Sequence, residues 1–113
     1  MRTAPDAFLP LKPVAFQVLL SLADGERHGY AITQDIARRS SARLRIEPGN
    51  LYRFLRELLA DRLVEETQRR DDDERRRYYR LTDLGRRVAA AETARLIELV
   101  AEAKSKRWLR TKA

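Results

Sequence analysis

The densest chemistry in this chain is cationic. Arg75, Arg76 and Arg77 stand together, followed by Tyr78-Tyr79-Arg80-Leu81-Thr82 and preceded by the acidic stretch Asp71-Asp72-Asp73-Glu74. A guanidinium offers a planar fork of N–H donors that fits phosphate oxygens and guanine edges. A second constellation, Asn50, Tyr52, Arg53 and Arg56, lies upstream within residues 48–59. Asparagine pairs with adenine through two hydrogen bonds, arginine does the same with guanine, and tyrosine hydroxyls hold phosphates. Arg43 and Arg45 precede that segment and are further candidates for phosphate contact, ordinary surface decoration being the competing reading. Tyr30 is expected either to pack or to touch phosphate. These residue types in this grouping recognise a polyanion.

The rest of the composition narrows the field. The chain has 113 residues, a formal net charge of +7 and a sequence pI near 10.4. Of its 24 basic residues only Lys12, Lys104, Lys106 and Lys112 are not arginine. Without cysteine, and with His28 as the one histidine, disulfides, thiolate metal sites and multi-histidine sites within one chain are excluded. No cofactor is expected, and the scattered carboxylates beside arginines read as surface pairs, so an enzyme is not expected. No apolar run reaches the roughly 18 residues of a membrane span, and residues 1–6 lack the apolar core of a secretory signal. A cytoplasmic protein is expected.

Helices and a hairpin must position these groups. Residues 1–12, with Pro5 and Pro10, read as a flexible arm. Pro13 suits the first turn of a helix that runs through Val14 to Ala23, is apolar on nearly all sides and so should be buried, and ends at Asp24-Gly25. His28-Gly29-Tyr30 leads into a second helix, residues 31–39, with His28 ordering the turn before it. Leu44-Arg45-Ile46 alternates like a small strand. A third helix starts at Glu47-Pro48-Gly49, turns Leu51, Leu55, Leu58 and Leu59 inward, and leaves Tyr52, Arg53 and Arg56 on the opposite flank. Residues 63–69 and 76–81 read as an antiparallel hairpin with a turn longer than two residues. Alternation along its return strand puts Tyr79 and Leu81 towards the core and Arg76, Tyr78 and Arg80 outward. Thr82 is the expected N-cap of a long final helix over residues 84–108, about 37 Å in length. It carries a broad apolar face that includes Leu84, Val88, Leu96, Leu99, Val100 and Ala103. The fold class expected is mainly α with a small β-hairpin. Residues 13–82 would form a winged helix-turn-helix, with 83–113 an appended helix.

In order along the chain, Leu19-Leu20-Ser21-Leu22-Ala23-Asp24-Gly25-Glu26-Arg27-His28-Gly29-Tyr30-Ala31-Ile32, Pro48-Gly49-Asn50-Leu51-Tyr52, Leu55-Arg56-Glu57-Leu58 and residues 75–82 resemble the PadR-type transcriptional regulators. The likeness covers residues 14–85. It implies a winged-helix module, a C-terminal helix that dimerises, repressor activity and, in some members, a small aromatic or cationic effector at the dimer interface. The chain looks like the short type with one C-terminal helix. Two departures stand out. The third helix ends Asp61-Arg62-Leu63 where the family often has Glu-Gly-Leu, so Arg62 is expected in a left-handed cap at a cost of about 1 kcal/mol against glycine. The wing tip is acidic instead of glycine-rich, which leaves phosphate contact to residues 75–77.

The expected function is therefore that of a dimeric, sequence-specific regulator of double-stranded DNA, a repressor on an inverted-repeat operator. The alternative is a winged-helix module that docks proteins, since fold alone does not set function. The interface of the homodimer is expected to use Leu84, Val88, Leu96, Leu99, Val100, Ala103 and Trp108. Trp108 either stacks a flat effector between subunits or anchors the helix end by packing.

Overall fold

Three helices enclose the core because each carries apolar residues at helical spacing. The computed structural model of the chain describes residues 4–70 and 76–108. Helix α1 (Pro13–Ser21) begins with proline in its first turn and buries Val18 and Leu19, while Leu20 stays exposed at 40%. It is thus buried on one side, not all round. Helix α2 (Gly29–Arg39) buries Ile32 and Ile36, and α3 (Pro48–Ala60) buries Leu51, Leu55 and Leu58. The i, i+4, i+7 spacing of Leu51, Leu55 and Leu58 makes a continuous apolar stripe along α3, and Ile32 and Ile36, at i, i+4, make a shorter one on α2.

The sheet has three strands, not the two of a simple hairpin. Strands β1 (Arg27–His28), β2 (Val64–Glu66) and β3 (Tyr78–Leu81) lie in the order β1-β3-β2, all antiparallel. Leu81 pairs with Val64 and Tyr78 with His28. The segment Leu44-Arg45-Ile46 is not a strand. Its alternation is real, with Leu44 and Ile46 packed on the core and Arg45 exposed, but β3 already has neighbours on both sides. Tyr79 and Leu81 enter the core as alternation requires, and Tyr78 lies outside the core cluster yet is 6% exposed. Its outer face is covered by the His28 ring, edge-on at 5.3 Å, and by the Arg69 guanidinium 4.5 Å above its own ring.

Residues 5–8 form a 3₁₀ turn (Pro5–Phe8) whose Phe8 is buried, so this segment is packed where an irregular arm was expected. Proline at the start of the turn fits its fixed φ, and burial of the phenyl ring holds it on the core.

Helix α4 (Asp83–Ser105) is placed by one crowded junction. The Thr82 hydroxyl accepts the Gly85 N–H at 2.9 Å and donates to the Arg62 carbonyl at 2.7 Å. The Thr82 N–H reaches the Leu63 carbonyl at 3.1 Å. A Cβ on Gly85 would stand 2.0 Å from that same Leu63 oxygen. Further along α4, Glu92 is 2% exposed and takes two hydrogen bonds from Arg95, at 2.6 and 2.8 Å. Those bonds hold its carboxyl below the usual carboxylate range against the opposing cost of burial, with the backbone of Leu11 helping.

Helices α2, α3 and α4 end alike, each with a left-handed residue that is not glycine: Ser41 (φ 53°), Arg62 (φ 61°) and Arg107 (φ 63°). The next amide closes back onto the helix, Ala42 to the Ala37 carbonyl, Leu63 to Leu58 and Trp108 to Ala103. This six-to-one closure satisfies carbonyls the helix would leave open.

Two substitutions at the α3–α4 junction should act in opposite directions in one urea titration. Gly85→Ala is expected to lower stability by about 3 kcal/mol, the upper end of overpacking costs, because rigid backbone blocks the methyl. Arg62→Gly is expected to raise it by about 1 kcal/mol by removing a left-handed side-chain penalty. Unchanged midpoints for both would contradict this account of the junction.

Candidate nucleic-acid interface

The outer flank of α3 follows from its inner one. Because Leu51, Leu55 and Leu58 take the core, Asn50, Tyr52, Arg53 and Arg56 are left on the solvent side, all exposed. Arg43 and Arg45 are exposed in the loop just before α3. Among the described residues, Arg43, Arg45 and Arg56 make no ion pair, and Arg53 lies 5.2 Å over the Phe54 ring. Unpaired guanidiniums retain their donors for an incoming anion.

Tyr52 and Tyr30 flank a small cleft of about 80 Å³ between the first turns of α2 and α3. Tyr30 is 62% exposed and Tyr52 44%. A Cβ on Gly29 would meet the Tyr52 hydroxyl at 2.9 Å, so glycine lets this tyrosine lie across the start of α2. Beneath it, burial first, then the neighbouring Tyr52 and Glu66, push the Tyr79 phenol above its ordinary range. A Cβ on Gly49 would touch nothing within 4 Å, so the start of α3 is open to an outside surface.

The wing contributes less free charge than its composition promises. Arg77 pairs with Glu66 at 3.2 Å and Arg80 with Glu65 at 3.4 Å. Arg69 lies 3.6 Å from Glu26 and Arg70 4.0 Å from Glu66. Arg76 is exposed, with one guanidinium nitrogen 3.5 Å from His28 Nε2. The other ring nitrogen of His28 accepts the Ala31 N–H at 3.1 Å and so caps α2. Arg75 and the acidic tip at 71–74 lie outside the described residues.

A buried polar network fixes the angle at which α2, and α3 behind it, are presented. Asp35, 6% exposed, takes hydrogen bonds from Arg38 and Arg39 and lies 3.9 Å from Arg27. Arg39 also reaches the Ser21 hydroxyl at 2.8 Å and both the side chain and the carbonyl of Gln17. Burial pushes the Asp35 carboxyl up, but hydrogen bonds from Arg39 and Ser21 and the charges of Arg39 and Arg27 outweigh it and hold the group low. Sequence reasoning missed this network. The available signal was the i, i+4 pair Asp35–Arg39 adjoining Ile36 on the inner face.

Along α4 the residues expected at a subunit interface divide. Val88 is fully buried within its own chain and Leu84 packs on the same core, so Val88 has no surface to offer a second chain. Leu96 and Ala103 are half-buried, while Leu99 at 52%, Val100 at 53% and Trp108 at 78% are exposed, as is Ile97. Among the described residues no helix is long and apolar enough to cross a membrane.

The architecture and the sequence both have known counterparts. Transcriptional regulator Rv3488 of Mycobacterium tuberculosis is 38% identical over 89 residues, 79% of this chain and 80% of that protein. The PadR family regulator of Eggerthella lenta DSM 2243 matches with a TM-score of 0.72 at 26% identity, over 86% of this chain and 83% of that one. Bacillus subtilis PadR, solved in complex with operator DNA, shares the fold with a TM-score of 0.63 at 20% identity, over 71% of this chain and 47% of that one. The sequence profile of the PadR-like transcriptional regulator family matches residues 18–91. With that match running from the end of α1 through α2, α3 and the wing to the start of α4, the chain belongs to the PadR-like family of transcriptional regulators.

Proposed function

We propose that this protein is a homodimeric repressor that reads duplex DNA with α3 and clamps the backbone with the wing. The observation that carries the reading is the flank of α3: Asn50, Tyr52, Arg53 and Arg56 are exposed together, with the unpaired Arg43 and Arg45 beside them. An uncharged Asn among cations has no role in a purely electrostatic surface, but it suits an adenine edge. The operator complex of the Bacillus subtilis protein supports the same use of the fold. A protein-docking role is the lesser reading, because a docking face of this size has no need of so many unpaired guanidiniums.

Dimerisation follows from α4. The helix face that buries Val88 and Glu92 continues as Leu96, Leu99 and Ala103, past the point where the chain's own module supplies neighbours. Apolar surface of that kind is covered by a second copy in a stable protein.

The reading is tested by titrating operator and unrelated duplexes at two salt concentrations. Arg76→Ala is expected to weaken both by similar factors and to lower the salt slope by roughly one counterion for each phosphate left without its arginine in each subunit. Asn50→Ala is expected to erode only discrimination, by about 1–3 kcal/mol per base pair read. Intact specificity in Asn50→Ala with specificity abolished in Arg76→Ala would reverse reader and clamp.

A two-fold dimer presents two equivalent copies of α3, so the operator is expected to be an inverted repeat. Its half-site centres should lie about 10 base pairs apart or a multiple of that. A footprint limited to one asymmetric half-site would count against it.

In sedimentation at micromolar concentration the species should weigh twice the 13.2 kDa chain. Glu at both 96 and 99, in the double variant Leu96→Glu with Leu99→Glu, should give a monomer. A wild-type monomer would sink the dimer reading.

A further inference from the structure

Between the segment before α1 and the last two turns of α3 runs an open groove of about 150 Å³. Phe8, Leu11 and Leu58 line it, Phe54 forms a wall, and the carboxylates Glu57 and Asp61 stand at its edge. The last turn of α3 has no basic side chain of its own. Two carboxylates therefore sit at the negative end of the helix dipole, where cations are preferred. Lys12 answers that preference, its Nζ 3.3 Å from Glu57 Oε1 and 5.8 Å from the centre of the Phe54 ring. The groove thus favours an apolar or aromatic body with a cation beside it.

The end of α4 offers that combination. Trp108 is 78% exposed and follows Lys106 and Arg107. Residues 103–113 hold five basic side chains and no acidic one. Position along the helix also fits. The groove lies beside the first half of its own α4, since Leu63 lines it and carries the oxygen against which Gly85 packs, and since the Pro5–Phe8 turn, whose Phe8 lines it, packs against α4. The stripe of Leu96, Leu99 and Ala103, half-buried at 96 and 103 and exposed at 99, is only about two turns long, or roughly 11 Å, far short of the roughly three heptads a coiled-coil seam takes. Antiparallel packing about the level of Leu96 and Leu99 sets Trp108 opposite the turn of the partner's α4 that holds Val88, next to the groove.

We propose that Trp108 of each subunit enters this groove on its partner, with Lys106 and Arg107 meeting Glu57 and Asp61. The proposal rests on the dimer reading. Its consequence is that the base of each reading helix is braced by the other subunit, so that DNA recognition depends on assembly through a direct contact.

Trp108 is the only tryptophan, so its fluorescence in the intact dimer reports on the contact. Acrylamide quenching is expected to be several-fold weaker than in the urea-unfolded chain, with emission at shorter wavelength. Glu57→Lys should restore quenching while the mass stays dimeric; lysine suits that helix end, so unfolding would not account for the change. p-Benzoylphenylalanine at position 108, irradiated in mixed isotope-labelled and unlabelled dimers, should join to the partner's peptides covering 54–63 or 8–12. A dimer whose Trp108 is fully quenched, or whose cross-links reach only α4 or its own chain, overturns the proposal while leaving the dimer intact. A monomer in sedimentation overturns the dimer reading itself.

Discussion

The Leu63 carbonyl is the point through which the rest of the molecule is tied. It accepts the Thr82 N–H that ends the wing, and Gly85 packs against it with no room for a Cβ. One residue earlier, the Arg62 carbonyl takes the Thr82 hydroxyl, while Arg62 itself adopts the left-handed turn that ends α3. Four elements, α3, β2, β3 and α4, meet within these few atoms. The direction of α4 out of the module is therefore set by hydrogen bonds and close approach, not by side-chain interdigitation alone. Any displacement of α4 at this point moves the end of α3, so the element that offers surface for assembly and the element that faces solvent with Asn50 and Arg53 are mechanically one body.

Charge is distributed in the same economical way. The basic residues of the wing are mostly neutralised, Arg77 by Glu66 and Arg80 by Glu65 across the ladder. Exposed pairs of this kind contribute little to stability, at most about 1 kcal/mol. Their greater effect is to leave the positive field where arginines are unpaired, at Arg43, Arg45 and Arg56. The interior charges act differently. Asp35 and Glu92 are buried, and removing the arginine beside such a carboxylate strands its charge away from water. Arg39, which also bonds Gln17 and Ser21, thus ties α2 to α1, whereas Arg95 neutralises Glu92 within α4. Asp35 and Arg39 together orient α2 on α1.

Much of this was legible in the sequence because periodicity and local caps act over a few residues. The inner stripe of α3, the N-cap at Thr82, the left-handed Arg62 and the inward Tyr79 and Leu81 all come from spacing within one element. What escaped came from contacts between elements. Strand β1 is only Arg27 and His28, too short for any alternation to show, and exists because β3 has a second edge to fill. Tyr78 was expected outward, and alternation does put it there, but His28 and Arg69 arrive from elsewhere in the chain to cover it. Pro5 and Pro10 argue against regular structure locally, yet burial of Phe8 outweighs them. For the candidate interface, composition located the α3 flank, whereas the pairing that occupies Arg77 and Arg80 required the register of β2 against β3.

The long helix links stability to assembly. The stripe that begins at Val88 inside the core runs on as Leu99 and Ala103 into solvent, with Val100 and Ile97 beside it. Full burial of an aliphatic side chain is worth about 1.5–3 kcal/mol, of which these half-exposed residues forgo a part, and native domains as a whole are stable by only about 5–15 kcal/mol. A single copy that leaves this surface in water gives up a sizeable part of that margin. Covering it with a second copy adds stability that grows with protein concentration, and because α4 is rooted at the Leu63 carbonyl, that stability is transmitted to α3. In the proposed dimer, folding, pairing and presentation of the exposed α3 flank would form a single equilibrium, in which a subunit without its partner is the state with the least-held α3.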